Sequence, residues 1–232
     1  MSLALYERSG LRFWTEDEIA TRNYSIATLL RMLRRSFEQM NSAWTFHQIE
    51  GPALTPRLFV SSTYDADDIF IVNDGRLALR PETTASSYLM AAYFLSRGIA
   101  KAPLCVWQAG KSFRVESNDG ASAPKLRFNE FWQCEFQFIF GVDTKAPVYD
   151  AAVKAAADAI TRITGADHRI VVSDRLPAYA TETTDIEVQY GGKWKEMASI
   201  SRRTDYPDKT KTVVEVAVGL DRLISVEAER QT

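Results

Sequence analysis

Phe113-Arg114-Val115-Glu116 and, beyond a loop, Arg127-Phe128-Asn129-Glu130-Phe131-Trp132-Gln133-Cys134-Glu135 form the stretch in which the fold of this chain is most legible. Lys111–Glu116 and Phe128–Phe140 carry strand composition, and the loop between them, Ser117–Lys125, is rich in Gly, Ser, Ala and Pro. Alternate residues of paired strands share a face. Arg114 and Glu116 therefore point one way, and Arg127, Phe131 and Glu135 share the same parity. Two guanidinium groups, two carboxylates and a phenyl ring then occupy one sheet surface. Guanidinium suits forked binding of phosphate or carboxylate, and a ring beside it can stack an adenine. The plain alternative is a solvated antiparallel face with cross-strand ion pairs. Spacing alone does not choose between them.

Outward from this hairpin the chain alternates helices and short strands. Thr15 with Glu16, Asp17 and Glu18 reads as a helix start with acids in its first turn. Ile19, Ile26, Leu29, Leu30, Met32, Leu33 and Phe37 then recur at helical spacing to about Ser42. Trp44–Ile49 is strand-like and stops at Gly51-Pro52. Leu58–Ser62 and Ile69–Val72 read as strands, with a turn at Asn73-Asp74-Gly75. Thr83–Arg97 is an apolar helix, and Leu104–Trp107 a strand. Pro147–Thr164 is an alanine-rich helix closed by Gly165. Ile170–Val172, Thr184–Tyr190, Trp194–Ser199 and Thr212–Val218 are further strands, with a hairpin turn at Gly191-Gly192 and a last helix at Leu220–Glu229. Strands in hairpins covered by a few helices predict an α+β fold with a largely antiparallel sheet. No linker divides it.

Composition narrows the function classes. The 232 residues are 46% hydrophobic and 25% charged, which excludes a disordered, collagenous or coiled-coil chain. A net charge of −2 argues against a strongly basic nucleic-acid module while allowing a local basic groove. Cys105 and Cys134 form neither a CxxC pair nor a disulfide framework, so a reducing, cytoplasmic setting is expected. No apolar run reaches about 18 residues, so no membrane contact is expected.

Three further clusters carry candidate chemistry. Arg80-Pro81-Glu82-Thr83-Thr84 precedes a helix, and its simplest reading is a helix start. Glu215-Val216-Ala217-Val218-Gly219-Leu220-Asp221-Arg222 reads as a strand, a break and a helical turn bearing a surface arginine. Trp194-Lys195-Glu196 with Arg203, preceded by Tyr179, Asp185 and Glu187, reads as a polar hairpin. His47 and His168 have no ligand spacing, so a zinc site is not expected. The phosphate loop GxxxxGK[ST] and the dinucleotide GxGxxG are absent.

Together these segments resemble the three signature motifs of class II aminoacyl-tRNA synthetases. The long helix with Trp44–Pro52 resembles motif 1, which in that family forms the dimer interface. Phe113–Glu116 with Arg127–Glu135 resembles motif 2, at the full fRxE…RxxxFxxxE pattern, and Glu215–Arg222 resembles motif 3. Within the class the chain is most similar to the glycyl-tRNA synthetase core. Leu79–Thr83 matches its LRPET segment, Arg175–Ala180 with Thr184–Glu187 its "AHYA…D" stretch, and Trp194–Glu196 through Arg203–Tyr206 its "WxE…RxDY/F" stretch. The histidyl enzymes, which share LRPE and a GLDRL-like motif 3, rank second because their internal glycine–tyrosine signature has no match here. Coverage runs from about residue 15 to 226.

The resemblance implies ATP-dependent activation of glycine to glycyl-adenylate and transfer to tRNA, by a homodimer. Glu82, Glu135 and Glu215 would hold the glycine ammonium, with Glu196, Arg203 and Ala217 at further amino-acid positions. Arg114 would bridge the glycine carboxylate and the α-phosphate. Arg222 would take the γ-phosphate with Arg127 assisting, Phe131 would stack the adenine, and Glu116 would read its amino edge. By the same resemblance Arg114 and Arg222 would be the catalytic pair, and Mg2+, with no ligands assigned, would accompany the phosphates. Carboxylates crowded in one pocket repel one another and want a cation, which suits an ammonium. The chain departs from the family in carrying Ala217 where a serine is usual and Asn129 where a second arginine is common. The loop Ser117–Lys125 offers one base, Lys125, a poor grip for RNA. Residues 1–232 are expected to be a catalytic domain without an anticodon-binding domain. That leaves two alternatives: a stand-alone paralogue charging another acceptor, or a non-catalytic accessory subunit.

Overall fold

In the computed structural model, which describes residues 3–61, 63–116, 121 and 125–231, side-chain alternation on the long strands sets the architecture. Strand β6 (Glu130–Gly141) sends Cys134, Phe136, Phe138 and Phe140 to one face and Gln133, Glu135 and Gln137 to the other. Strand β10 (Lys211–Gly219) repeats the division, with Val214, Val216 and Val218 against Glu215, Ala217 and Gly219. One face is therefore a hydrocarbon surface that must be covered, and the other is polar.

Helices α2 (Glu16–Met40), α4 (Val148–Thr164) and α5 (Leu220–Gln231) cover the apolar face. In α2 the covering stripe is Leu29, Leu33 and Phe37, one helical turn apart. Phe37 stacks on Phe138 at 3.9 Å between ring centroids. Ile19, expected in that stripe, is 38% exposed because burial begins only at Ser25. Thr15 caps α2 by accepting from the Glu18 N–H, while the Glu18 carboxylate accepts from the Thr15 N–H, which satisfies two end donors. Helix α1 (Leu3–Arg8) precedes it.

The seven-stranded sheet has the order β1-β5-β6-β10-β9-β8-β7. Here β1 is Thr45–Gln48, β5 Leu104–Phe113, β7 His168–Val172, β8 Ala180–Tyr190 and β9 Lys193–Arg203. Only β1–β5 is parallel, as a largely antiparallel α+β fold requires. Helix α3 (Thr84–Ser96) covers one end of the polar face, burying Tyr88 and Ala91 against Leu104, Val106, Ile139 and Val213. A small sheet of order β2-β4-β3 lies beside it, built from Leu54–Pro56, Leu77–Leu79 and Ile71–Val72. Its β3–β4 turn is the expected Asn73-Asp74-Gly75, all at positive φ.

Two expectations need correction. Leu104–Trp107 and Lys111–Glu116 are not two strands but one, β5, which ends at Phe113. Gly110 keeps the ladder continuous because a Cβ there would lie 2.2 Å from an Arg80 guanidinium nitrogen. Of the expected strand Leu58–Ser62, the described residues 58–61 are not a strand, and Ser62 lies outside the described residues. Arg57–Phe59 is a 3-10 turn in which the Arg57 carbonyl accepts from both Val60 and Ser61, so local bonds replace a ladder. Most of the loop Ser117–Lys125 lies outside the described residues.

Candidate functional site

Register places the polar residues in rows across the sheet. One row is Gln108, Glu135, Ala217, Ser199 and Asp185; the next is Gln137, Glu215, Ser201 and Thr183. Glu135, Ala217, Ser199 and Asp185 of the first row and Glu215, Ser201 and Thr183 of the second floor a cleft of about 650 Å3, walled by Tyr64, Glu82, Arg114, Glu116, Arg127, Phe131, Tyr179, Glu196 and Arg222. That volume suits a small-molecule site.

At the acidic end, Glu82, Glu135 and Glu215 converge as their spacing suggested, but the carboxylates already have a cation. The Arg203 guanidinium, 4% exposed, donates to both Glu215 oxygens at 2.9 Å, to Glu82 Oε1 at 3.4 Å and to Asp205. Tyr179 stacks on it at 3.9 Å. Burial works against the Arg203 charge, and Glu215 and Glu82 more than restore it. Thr84 and Gln137 also donate to Glu215, and the Tyr64 hydroxyl donates to Glu82 Oε2 at 2.8 Å. Crowded acids alone therefore do not require an ammonium. Glu135 is the exception. Its partners are neutral: Thr83 donates through its backbone N–H (2.8 Å) and its hydroxyl, and Gln133 through its amide. Burial, then Glu215 and Glu82, push its carboxyl up to about 8.

Arg114 lies just past the end of β5, between the Tyr64 and Phe131 rings at 5.4 and 5.3 Å. It donates to the Pro81 carbonyl (3.1 Å) and the Tyr64 hydroxyl (3.1 Å). Burial opposes its charge, but Tyr64, Glu82 and Glu135 outweigh that and hold it cationic. Tyr64 thus ties Arg114 to Glu82. It stands alone in a loop of the sequence with no pattern around it, and sequence reasoning missed it; Asp205 was quoted only within a motif.

The far end is basic. Arg222, on the first turn of α5, donates to the Leu126 carbonyl (3.3 Å) and the Glu196 carbonyl (2.8 Å) and pairs with the Glu196 carboxylate (3.2 Å). Arg127 pairs with Glu116 at 3.6 Å. The Lys195 ammonium is pushed down by burial and by neighbouring Arg222, Lys193, Arg127 and Lys125. Charge thus changes sign along the cleft.

Glu196, expected among the amino-acid positions, is not with Glu82 and Glu215. It is seven residues from Arg203 along β9, roughly 20 Å at strand rise. Parity alone would also turn it to the opposite face. The register shift against β8 leaves Met197 as an extra residue, with Met197 and Ala198 both in the core, and re-aims Glu196 into the cleft beside Arg222. Among the described residues no three His, Cys, Asp or Glu side chains are grouped to hold a metal.

No family model matches the sequence. A pyrrolysyl-tRNA synthetase from Desulfitobacterium hafniense superposes with TM-score 0.62 at 19% identity, over 88% of this chain and 70% of that one. A Cryptosporidium parvum prolyl-tRNA synthetase complexed with halofuginone and AMPPNP gives 0.67 at 13%, over 88% and 45%. The fold is that of a class II aminoacyl-tRNA synthetase catalytic domain. Within that class the sequence is similar to glycine-tRNA ligases. It is 28% identical to the one from Mycoplasmopsis synoviae over 66% of this chain and 40% of the relative. To that of Nocardia farcinica it is 31% identical, over 59% and 30%. The chain thus spans well under half the length of these relatives.

Proposed function

We propose that this cleft activates glycine with ATP, forming glycyl-adenylate and pyrophosphate, and passes the glycyl group to tRNA. The reversal of charge along one cleft carries the reading. An amino acid presents an ammonium to the acidic end, and a triphosphate needs the basic end. Glu82, Glu135 and Glu215 would receive the ammonium, with Arg203 holding Glu82 and Glu215 in place rather than touching substrate. Arg114, between the two ends, would bring the glycine carboxylate to the α-phosphate and neutralise charge as the oxygen attacks. Phe131 would stack the adenine, Glu116 would accept from its amino group, and Arg127 and Arg222 would take the outer phosphates. Glu196 fits a role in positioning Arg222. Ala217, beside Glu135 and Ser199, leaves a methyl where the glycyl family has a hydroxyl, so one contact to the ammonium is absent.

Mg2+ would enter with the triphosphate. Such ions keep phosphate oxygens, waters and one or two carboxylates, and Glu116 and Glu196, beside Arg127 and Arg222, are two of the acids that line the cleft. We also propose a cytoplasmic, homodimeric protein, with residues 1–232 forming a catalytic domain. Buried free Cys105 and Cys134 fit a reducing compartment, and no described helix is long and apolar enough to cross a membrane. ATP–pyrophosphate exchange with each of the twenty amino acids tests the activity. Exchange with glycine is expected; exchange only with alanine or serine would refute the substrate, and none with any would refute the reaction. Arg114→Ala is expected to lower the exchange rate by ~100-fold or more.

A further inference from the structure

Arg114, Glu116 and Arg222 all sit where regular structure has just ended or just begun. Arg114 and Glu116 follow the last residue of β5, and Arg222 lies in the first turn of α5. Their positions therefore depend on what holds the loose ends. In both places the chain's own segment Ser9–Arg12 is involved.

At the first, Asn129 is the junction. Its carbonyl accepts from the Arg114 N–H (3.0 Å), and its side-chain oxygen accepts from the Glu116 N–H (2.8 Å). The rest of Asn129 faces the N-terminal segment. Its side-chain amide donates to the Ser9 carbonyl and its backbone N–H to the Gly10 carbonyl, both at 2.8 Å. Gly10 permits that approach: it has φ +65°, and a Cβ there would lie 3.0 Å from the Asn129 amide nitrogen and 2.6 Å from the Ala121 Cβ. At the second place, Arg12 donates to the Asp221 carbonyl (3.3 Å) and to the Ser225 hydroxyl (3.2 Å) at the start of α5, and pairs with Glu18. Asp221 precedes Arg222. Its carboxylate, 2% exposed, accepts from the Trp132 N–H at 2.6 Å through one oxygen, while the other has no hydrogen-bond partner and faces Arg12 at 3.8 Å. Arg12 is itself packed against the Trp14 ring at 4.8 Å.

We propose that Ser9–Arg12 is a positioning brace for the nucleotide end of the cleft, acting through Asn129 on Arg114 and Glu116 and through Asp221 on Arg222. The inference rests on the reading that this end takes ATP. Arg12 bears on Arg222 at the nucleotide end, so it is the member that separates nucleotide affinity from amino-acid affinity; Asn129 bears on Arg114, which faces both ends. The brace also gives Asn129 a purpose: the amide oxygen and nitrogen serve two chain segments at once, which an arginine, having no acceptor, cannot do.

Titration of the full chain with ATP and Mg2+, with exchange kinetics alongside, tests this. For Arg12→Gln, Asn129→Ala and Gly10→Ala, the dissociation constant for ATP is expected to rise about tenfold or more; the amino-acid KM is expected to stay unchanged in Arg12→Gln, which bears on Arg222, and to rise less than the ATP constant in the other two, which bear on Arg114. Asn129→Asp keeps the acceptor for Glu116 but loses the donor to Ser9, so it is expected to weaken ATP binding as Asn129→Ala does. Arg12→Lys, which keeps the charge without the fork, is expected to recover part of the loss. The brace is overturned if these variants bind ATP as the unmodified protein does, or if Asn129→Asp alone is normal. It is also overturned if the amino-acid KM of Arg12→Gln rises in parallel with its ATP constant, which marks general softening. Failure of the unmodified protein to bind ATP is a separate result that removes the nucleotide reading itself.

Discussion

Arg203 is the residue on which the acidic end of the cleft turns. Removing it leaves Glu82, Glu215 and Asp205 facing one another with no cation, the costly way to break a buried ion pair. Arg203→Ala is expected to lower stability by roughly 3–5 kcal/mol in denaturant unfolding, and Arg203→Lys to recover only part of this because a point charge cannot serve three acids. Glu135 gives a second expectation with a definite sign. Its folded carboxyl titrates near 8 against 4.5 for the ordinary group, so the folded state binds the extra proton. The associated stability is complete below 4.5 and lost as pH rises through about 8. The unmodified protein should therefore lose stability between pH 5 and 8 relative to Glu135→Gln, which thermal denaturation across that range would show. Much of this site was legible in the sequence. Strand parity put Arg114, Phe131 and Glu135 on one side, and all three line the cleft. What was not legible is who neutralises whom. Arg203 and Glu215 meet across neighbouring strands, and Tyr64 reaches Glu82 from a loop, contacts that only the folded chain creates. The place of Glu196 was not legible either: parity would turn it away from the cleft, and one extra residue, Met197, brings it in, beside Arg222 rather than Arg203.

Among elements, the continuity of β5 carries a test of its own. Gly110 lies under the Arg80 guanidinium, whose other bonds go to the Gly51 carbonyl (2.6 Å) and the Lys111 carbonyl (2.8 Å). Gly110→Ala would lift that guanidinium and disturb the segment that carries Glu82. A stability loss of about 1–3 kcal/mol is expected, together with weaker amino-acid binding; an unchanged unfolding midpoint would mean that Arg80 has room to move. The sequence split this strand in two because Gln108-Ala109-Gly110 lacks the apolar run of its neighbours. Gln108 and Gly110 serve the polar face instead: Gln108 donates to the Thr83 carbonyl and to the hydroxyls of Ser86 and Ser87, and Gly110 makes room for Arg80. Long helices are legible because Thr15 and Gly165 mark their ends by capping chemistry, whereas residues 58–61 have strand composition but turn on local bonds instead.

At the scale of the whole molecule, β1 is the edge of the main sheet, and the outer face of α2 bears a groove of about 590 Å3 lined by Ala27, Leu30, Arg31, Arg34 and Arg35. The proposed dimer would use these surfaces. Sedimentation at micromolar concentration should give a dimer, and Ala27→Glu, at an exposed position of that groove, should shift it toward monomer while leaving secondary structure intact. A monomer in the unmodified protein would leave the cleft intact but remove that assembly. The central claim is that one cleft joins glycine to AMP. Its most direct measurement is mass spectrometry of the protein after incubation with glycine, ATP and Mg2+, without an acceptor. Glycyl-adenylate retained on the unmodified chain and absent from Arg114→Ala is the expected result; ATP bound unchanged, with no adenylate of glycine at any concentration, would contradict it.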